Sequence, residues 1–74
     1  MTVKYLYCVL SSDTIIHMRD ASGGHMESIY YGDVAEARST RLNENCAVLE
    51  IKPTTYTKHE DGEITVSPVL EILV

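Results

Sequence analysis

The chain has no phenylalanine and no tryptophan, and its five aromatic residues are all tyrosine. Every ring therefore carries a hydroxyl that wants water or a hydrogen-bond partner, an unusual choice for side chains selected only to fill a core. Basic residues are scarce: six Lys and Arg stand against eleven Asp and Glu, for a formal charge of -5. From His59 to Val74 there is no Lys or Arg at all, while Glu60, Asp61, Glu63 and Glu71 fall there. Nucleic-acid binders bring a basic stripe that releases counterions from phosphates, so direct DNA or RNA binding is not expected. The same charge favours approach to a basic protein surface.

Long apolar runs are also missing. None nears the ~20 residues that cross a bilayer, and no basic-then-apolar leader opens the chain, so a soluble, cytoplasmic protein with no membrane partner is expected. The two cysteines, Cys8 and Cys46, lie in apolar runs and not in C-x-x-C spacing. Buried free thiols of a reducing compartment are the expectation.

At 74 residues, 45% hydrophobic and 23% charged, the chain has the composition of one small globular domain spanning 1–74. A chain this short buries only about 60 to 65% of its unfolded surface, which leaves little wall for an enclosed active site.

Val3 to Leu10 (VKYLYCVL) is apolar on both alternating faces and reads as an interior strand. Thr14 to Arg19 and Met26 to Tyr31 read as an antiparallel pair joined by a loop through Gly23 and Gly24. Asp33 to Glu44 reads as a helix, with Asp33 as N-cap, Glu36 completing a capping-box variant, and Val34, Ala37 and the Arg41 stem on the packed stripe. Cys46 to Lys52 reads as a strand closed by Pro53, with Ala47, Leu49 and Ile51 inward. Thr54 to His59 and Glu63 to Ser67 flank Glu60-Asp61-Gly62, which is hairpin chemistry. A two-residue turn would oppose Glu60 to Glu63, so a three-residue loop pairing His59 with Glu63 and Tyr56 with Val66 is expected. The even positions Ile64, Val66, Leu70, Ile72 and Val74 are apolar with Pro68 in the same series, which reads as either a long edge strand or two strands broken at Pro68. The predicted architecture is α+β, with one α-helix packed on a mainly antiparallel β-sheet of five to seven short strands.

No spacing names a reaction. His17 and His25 with Cys8, Cys46 or His59 lack the local pattern that closes a zinc site, so neither a metal nor a cofactor is expected. Gly23-Gly24 is followed by an expected strand, where a phosphate cradle would need a helix N-terminus. Ser11, Ser12 and Ser22 have histidines and aspartates elsewhere in the chain, but no spacing that makes a triad.

Tyrosine is a favoured interface anchor, rigid and large for its entropy cost. Tyr30 and Tyr31, adjacent in a strand, must point to opposite faces. With the acids Asp20, Glu60, Asp61 and Glu63 they are the expected partner contacts of a non-enzymatic interaction module. In size and composition the chain resembles small phage and mobile-element accessory proteins. That resemblance implies a stoichiometric inhibitor of a larger basic protein, such as a nucleic-acid-binding or defence protein of the kind anti-CRISPR proteins block. Two other classes stay open: a ligand- or metal-dependent enzyme or sensor using His17, His25 and Asp20, and a structural protein assembling through exposed strand edges. An unprotected edge near Leu70 to Val74 would admit a homodimer.

Overall fold

A computed structural model describes residues 1–74, the surroundings of Gly23 excepted. Its elements run α1 (Val3–Val9), β1 (Ile15–Asp20), a 3-10 turn (Ser22–Gly24), β2 (Glu27–Asp33), α2 (Val34–Ser39), β3 (Glu50–Glu60) and β4 (Glu63–Leu73). The four strands form one mixed sheet in the order β2-β1-β4-β3. β1 is antiparallel to β2 and parallel to β4, and β3 and β4 form a long antiparallel hairpin. The class is α+β as expected, but the sheet has four strands where five to seven were expected, is mixed, and carries two helices.

Each difference has a local cause. Val3–Val9 is a helix because its apolar residues also satisfy the helical spacing. Val3, Leu6 and Tyr7 are buried with Leu10 packed beside them, while Tyr5 and Val9 stand more than half exposed. A short run apolar in both periods does not distinguish the two conformations. Nor is Cys8 the buried thiol expected; it is exposed, Cys46 is half-buried, and both are free.

The predicted strands from Cys46 to His59 condense into β3, which begins only at Glu50. Leu49 is exposed, not inward, and Cys46 and Val48 are the residues that lean on the core. Neither proline breaks its strand. Val74 donates to Arg19 O and Leu73 O accepts from Leu49 N, so even residues of β4 turn their backbone to β1 and odd ones to β3. Pro68 therefore faces past the end of β1, whose pairing with β4 starts at Ile16 and Leu70. Pro53, opposite Leu70, faces the free side of β3. Their missing N–H groups cost no ladder bond.

The hairpin closes in a two-residue turn, Glu60 opposite Glu63, with Asp61 at φ 49° and Gly62 at φ 79°. Positive φ at both central residues is the type I′ turn that matches strand twist, and Asp-Gly is built for it. That preference outweighs the like-charge pair at an exposed tip, which Lys58 Nζ, 3.3 Å from Glu60, offsets. Hence Tyr56 faces Ser67 and His59 faces Ile64, not the expected Val66 and Glu63.

Helix α2 starts as expected, Asp33 Oδ1 accepting from Glu36 N at 2.9 Å. It stops at Ser39, well short of Glu44. Ser39 Oγ and Thr40 Oγ1 donate back to the Glu36 and Ala37 carbonyls, which weakens a further turn. Leu42 N then bonds Ala37 O and Arg41 N bonds Arg38 O, with Arg41 at φ 53°. This is a Schellman stop with arginine in the left-handed position usually given to glycine.

Both helices cover one face of the sheet. Val3, Leu6, Tyr7, Ile16, Met18, Val34, Ala37 and Ile72 form the core. Burying one such side chain fully contributes about 1.5–3 kcal/mol. Arg38 fastens the layer, donating to Tyr7 O and Ser12 Oγ, while Tyr7 Oη donates to Leu42 O at 2.6 Å. Among the described residues no helix is long and apolar enough to cross a membrane.

Candidate functional site: the helix-free face of the sheet

Alternation sends Ile16, Met18 and Ile72 to the helices and His17, Arg19, Val69 and Glu71 to the opposite face. Among the described residues no helix covers that second face, yet Val69 is only 5% exposed there. The cover comes from the sheet's two edges. Tyr31 on β2 and Tyr56 on β3 lean inward over β1 and β4, and their ring centroids lie 5.8 Å apart at 56°. Tyr31 also meets the edge of His17, 5.4 Å away at 74°. Strands three steps apart are about 14 Å distant, so only long side chains leaning toward each other can close this span.

Beneath the two rings is a shallow cavity of about 310 Å³, lined among others by His17, Arg19, Thr54, Val69 and Glu71. Arg19 Nε is shielded from solvent, makes no hydrogen bond, and lies 4.0 Å from Glu71. His17 Nε2 is 2.9 Å from Ser28 Oγ. Burial, and next the Arg19 charge, push the His17 imidazole below its ordinary value, with Glu71 acting the other way. The neutral ring is thereby favoured. The face thus offers two half-exposed tyrosines above a paired guanidinium and carboxylate.

The residues singled out in the sequence are distributed as follows. Tyr31 stands on this face, 48% exposed. Tyr30 points to the helix side, crosses over Gly32 and donates to Asp33 O at 2.7 Å, half-buried against the core. Asp20 ends β1, where it accepts from Ser22 N at 2.8 Å; hydrogen bonds from Ser22 hold its carboxyl below the usual range. Glu60, Asp61 and Glu63 sit at the tip of the β3–β4 hairpin. His17 and Asp20 project to opposite faces of β1, and His25 closes the 3-10 turn. Among the described residues no three His, Cys, Asp or Glu side chains come together in a metal-binding group. Gly24 has φ 78°, as a loop glycine would, whereas the Gly23 half of the pair lies outside the described residues.

Tyr56 was not singled out, because its role depends on strand order. Its only sequence signal was to be a tyrosine, with a hydroxyl to keep wet. Compared with known proteins, the chain matches no family model, no curated sequence and no solved structure.

Proposed function

We propose that the chain is a non-enzymatic interaction module that docks on a larger, basic protein through the helix-free face of its sheet. The Tyr31–Tyr56 pair carries this reading: two large rings, about half exposed (48% and 52%), are held against each other across the sheet. Tyrosines of this kind anchor interfaces at low entropic cost. Around them the polar groups of Arg19, Glu71 and His17 supply the directional bonds of an interface rim.

Charge supports the class of partner. The chain carries -5, and the hairpin tip sets Glu60, Asp61 and Glu63 beside a lone Lys58. Such a tip steers a basic surface toward the tyrosines and accelerates encounter. An inhibitor that occupies the groove of a nucleic-acid-binding or defence protein fits this arrangement, with the acids standing where phosphates would.

Salt and charge variants test the reading. A protein captured by the native chain at low salt should elute earlier in a salt gradient from the Glu60→Gln/Asp61→Asn/Glu63→Gln variant. An unchanged elution position would remove the acidic tip from the interface, and capture of an acidic protein would contradict the stated chemistry of the partner.

A further inference from the structure

The hairpin overreaches the rest of the sheet. β1 pairs with β4 only from Leu70 onward, so β4 above that point and the matching part of β3 have only each other. This arm gives the molecule its long dimension, 42 Å against 29 and 18 Å. It carries Ile64 and Val66 at 65% and 59% exposure on the side continuous with the core face. A two-stranded ribbon is marginal in water, and three or more strands are needed for independent stability. Among the described residues none pairs with the outer edge of β3 along its 11 residues. The other edge, β2, is shorter and interrupted by a bulge between its pairings with Met18 and Arg19. Bulges of that kind protect an edge from pairing.

We infer that a second copy of this chain pairs along β3, antiparallel about a two-fold axis through Tyr56, to make one continuous sheet from two protomers. Ladder parity, charge and coverage of the unsupported arm select this register. The residues whose backbone faces outward are Ile51, Pro53, Thr55, Thr57 and His59, since their neighbours face β4. A two-fold axis normal to the sheet must pair side chains of one face, so it can pass only through a residue and never between two. Centred on Tyr56, Thr55 and the partner's Thr57 exchange ladder bonds both ways, and Pro53 accepts from the partner's His59 N. Lys52 falls opposite the partner's Glu60, twice by symmetry. Each Lys52 then lies beside the Glu60–Glu63 pair, whose repulsion it relieves. The Tyr56 ring leans away from the axis toward its own Tyr31, leaving the edge clear.

Other registers are worse. Centring on Thr55 sets Lys52 against Lys58 and Glu50 against Glu60. Centring on Thr54 sets Glu50 against Lys58, but it leaves His59, Glu60 and the turn, the outer end of the unsupported arm, beyond the end of the partner's strand. Lysines and a proline on an edge ordinarily discourage pairing; here the lysines reject the Thr55-centred alignment, and Lys52 meets a glutamate in the Tyr56-centred one.

Sedimentation equilibrium of the full chain tests the pairing. The native chain should dimerise with concentration. Lys52→Glu and Glu60→Lys, each shown folded by circular dichroism, should associate about tenfold more weakly, since attraction becomes repulsion at two symmetric pairs. Mixing the two variants should restore association to near the native level, because in the mixed dimer one contact is the native Lys52–Glu60 pair and the other is rebuilt with its charges exchanged. A native chain that stays monomeric, variants that dimerise as the native chain does, or a mixture that fails to recover would each overturn the inference.

Discussion

Tyr31 and Tyr56 come from opposite edges of the sheet and meet above its two inner strands, with ring centroids 5.8 Å apart. The contact covers Val69, fixes both rings, and leaves about half of each exposed. It is the feature on which the functional reading turns, and its energetics are measurable. A double-mutant cycle with Tyr31→Ala and Tyr56→Ala should give a coupling of about 0.5 kcal/mol, the low end for aromatic pairs because both rings remain wet. Additive urea-denaturation results would mean that the rings do not meet in solution.

Gly32 lies under the Tyr30 side chain. A Cβ there would sit 2.7 Å from Tyr30 Oη and 3.0 Å from Cζ, so in Gly32→Ala the end of the Tyr30 side chain must shift. Overpacking of this sort costs about 1–3 kcal/mol, and the Tyr30 bond to Asp33 O is lost with it. Thermal unfolding checks this, and an unchanged midpoint would show that the ring yields freely.

Arg41→Gly should stabilise the protein. Arg41 holds φ 53°, where a side chain costs about 1–2 kcal/mol and glycine does not. The greater entropy of glycine in the unfolded chain takes back roughly 0.5–1 kcal/mol. A rise of a few degrees in Tm is expected for a domain this small. A fall would mean that the Arg41 side chain makes a contact worth more than its strain.

Stability should also decline with acidification in a way that His17 contributes. Burial and the Arg19 charge lower its folded pKa below the ordinary 6.5. On lowering the pH, the unfolded chain binds the proton first, so the native state loses relative stability. The contribution is complete above about pH 6.5 and fades as pH falls through the lowered folded value. Urea midpoints at pH 8 and pH 5 should therefore differ less in His17→Gln than in the native chain; an equal difference would place the ring in ordinary solvent.

How much of this was legible in the sequence follows from the range of each interaction. The Asp33 cap, the place of the hairpin at Glu60-Asp61-Gly62 and the apolar even positions of β4 act over a few residues and could be read directly. The hairpin's register was misread because the Glu60–Glu63 repulsion weighs less than the Asp-Gly turn preference. Val3–Val9 could not be resolved, because its apolar residues fit helix and strand alike and packing against α2 decides. The stop after Ser39 was hidden because arginine rarely takes the left-handed position. The prolines misled because their cost depends on which side of the strand their nitrogen faces, which only the register shows. The Tyr31–Tyr56 contact was illegible for a longer-range reason. It requires β4 to slip in parallel beside β1, a pairing between segments some fifty residues apart that no local pattern announces.

The most direct test is affinity capture from nuclease-treated lysate of the source cell or its host, comparing the native chain with Tyr31→Ser/Tyr56→Ser after circular dichroism shows the variant folded. One basic protein enriched by the native chain and lost from the double variant is the predicted result. The same protein retained equally by both chains would contradict the assignment of the helix-free face as the binding surface.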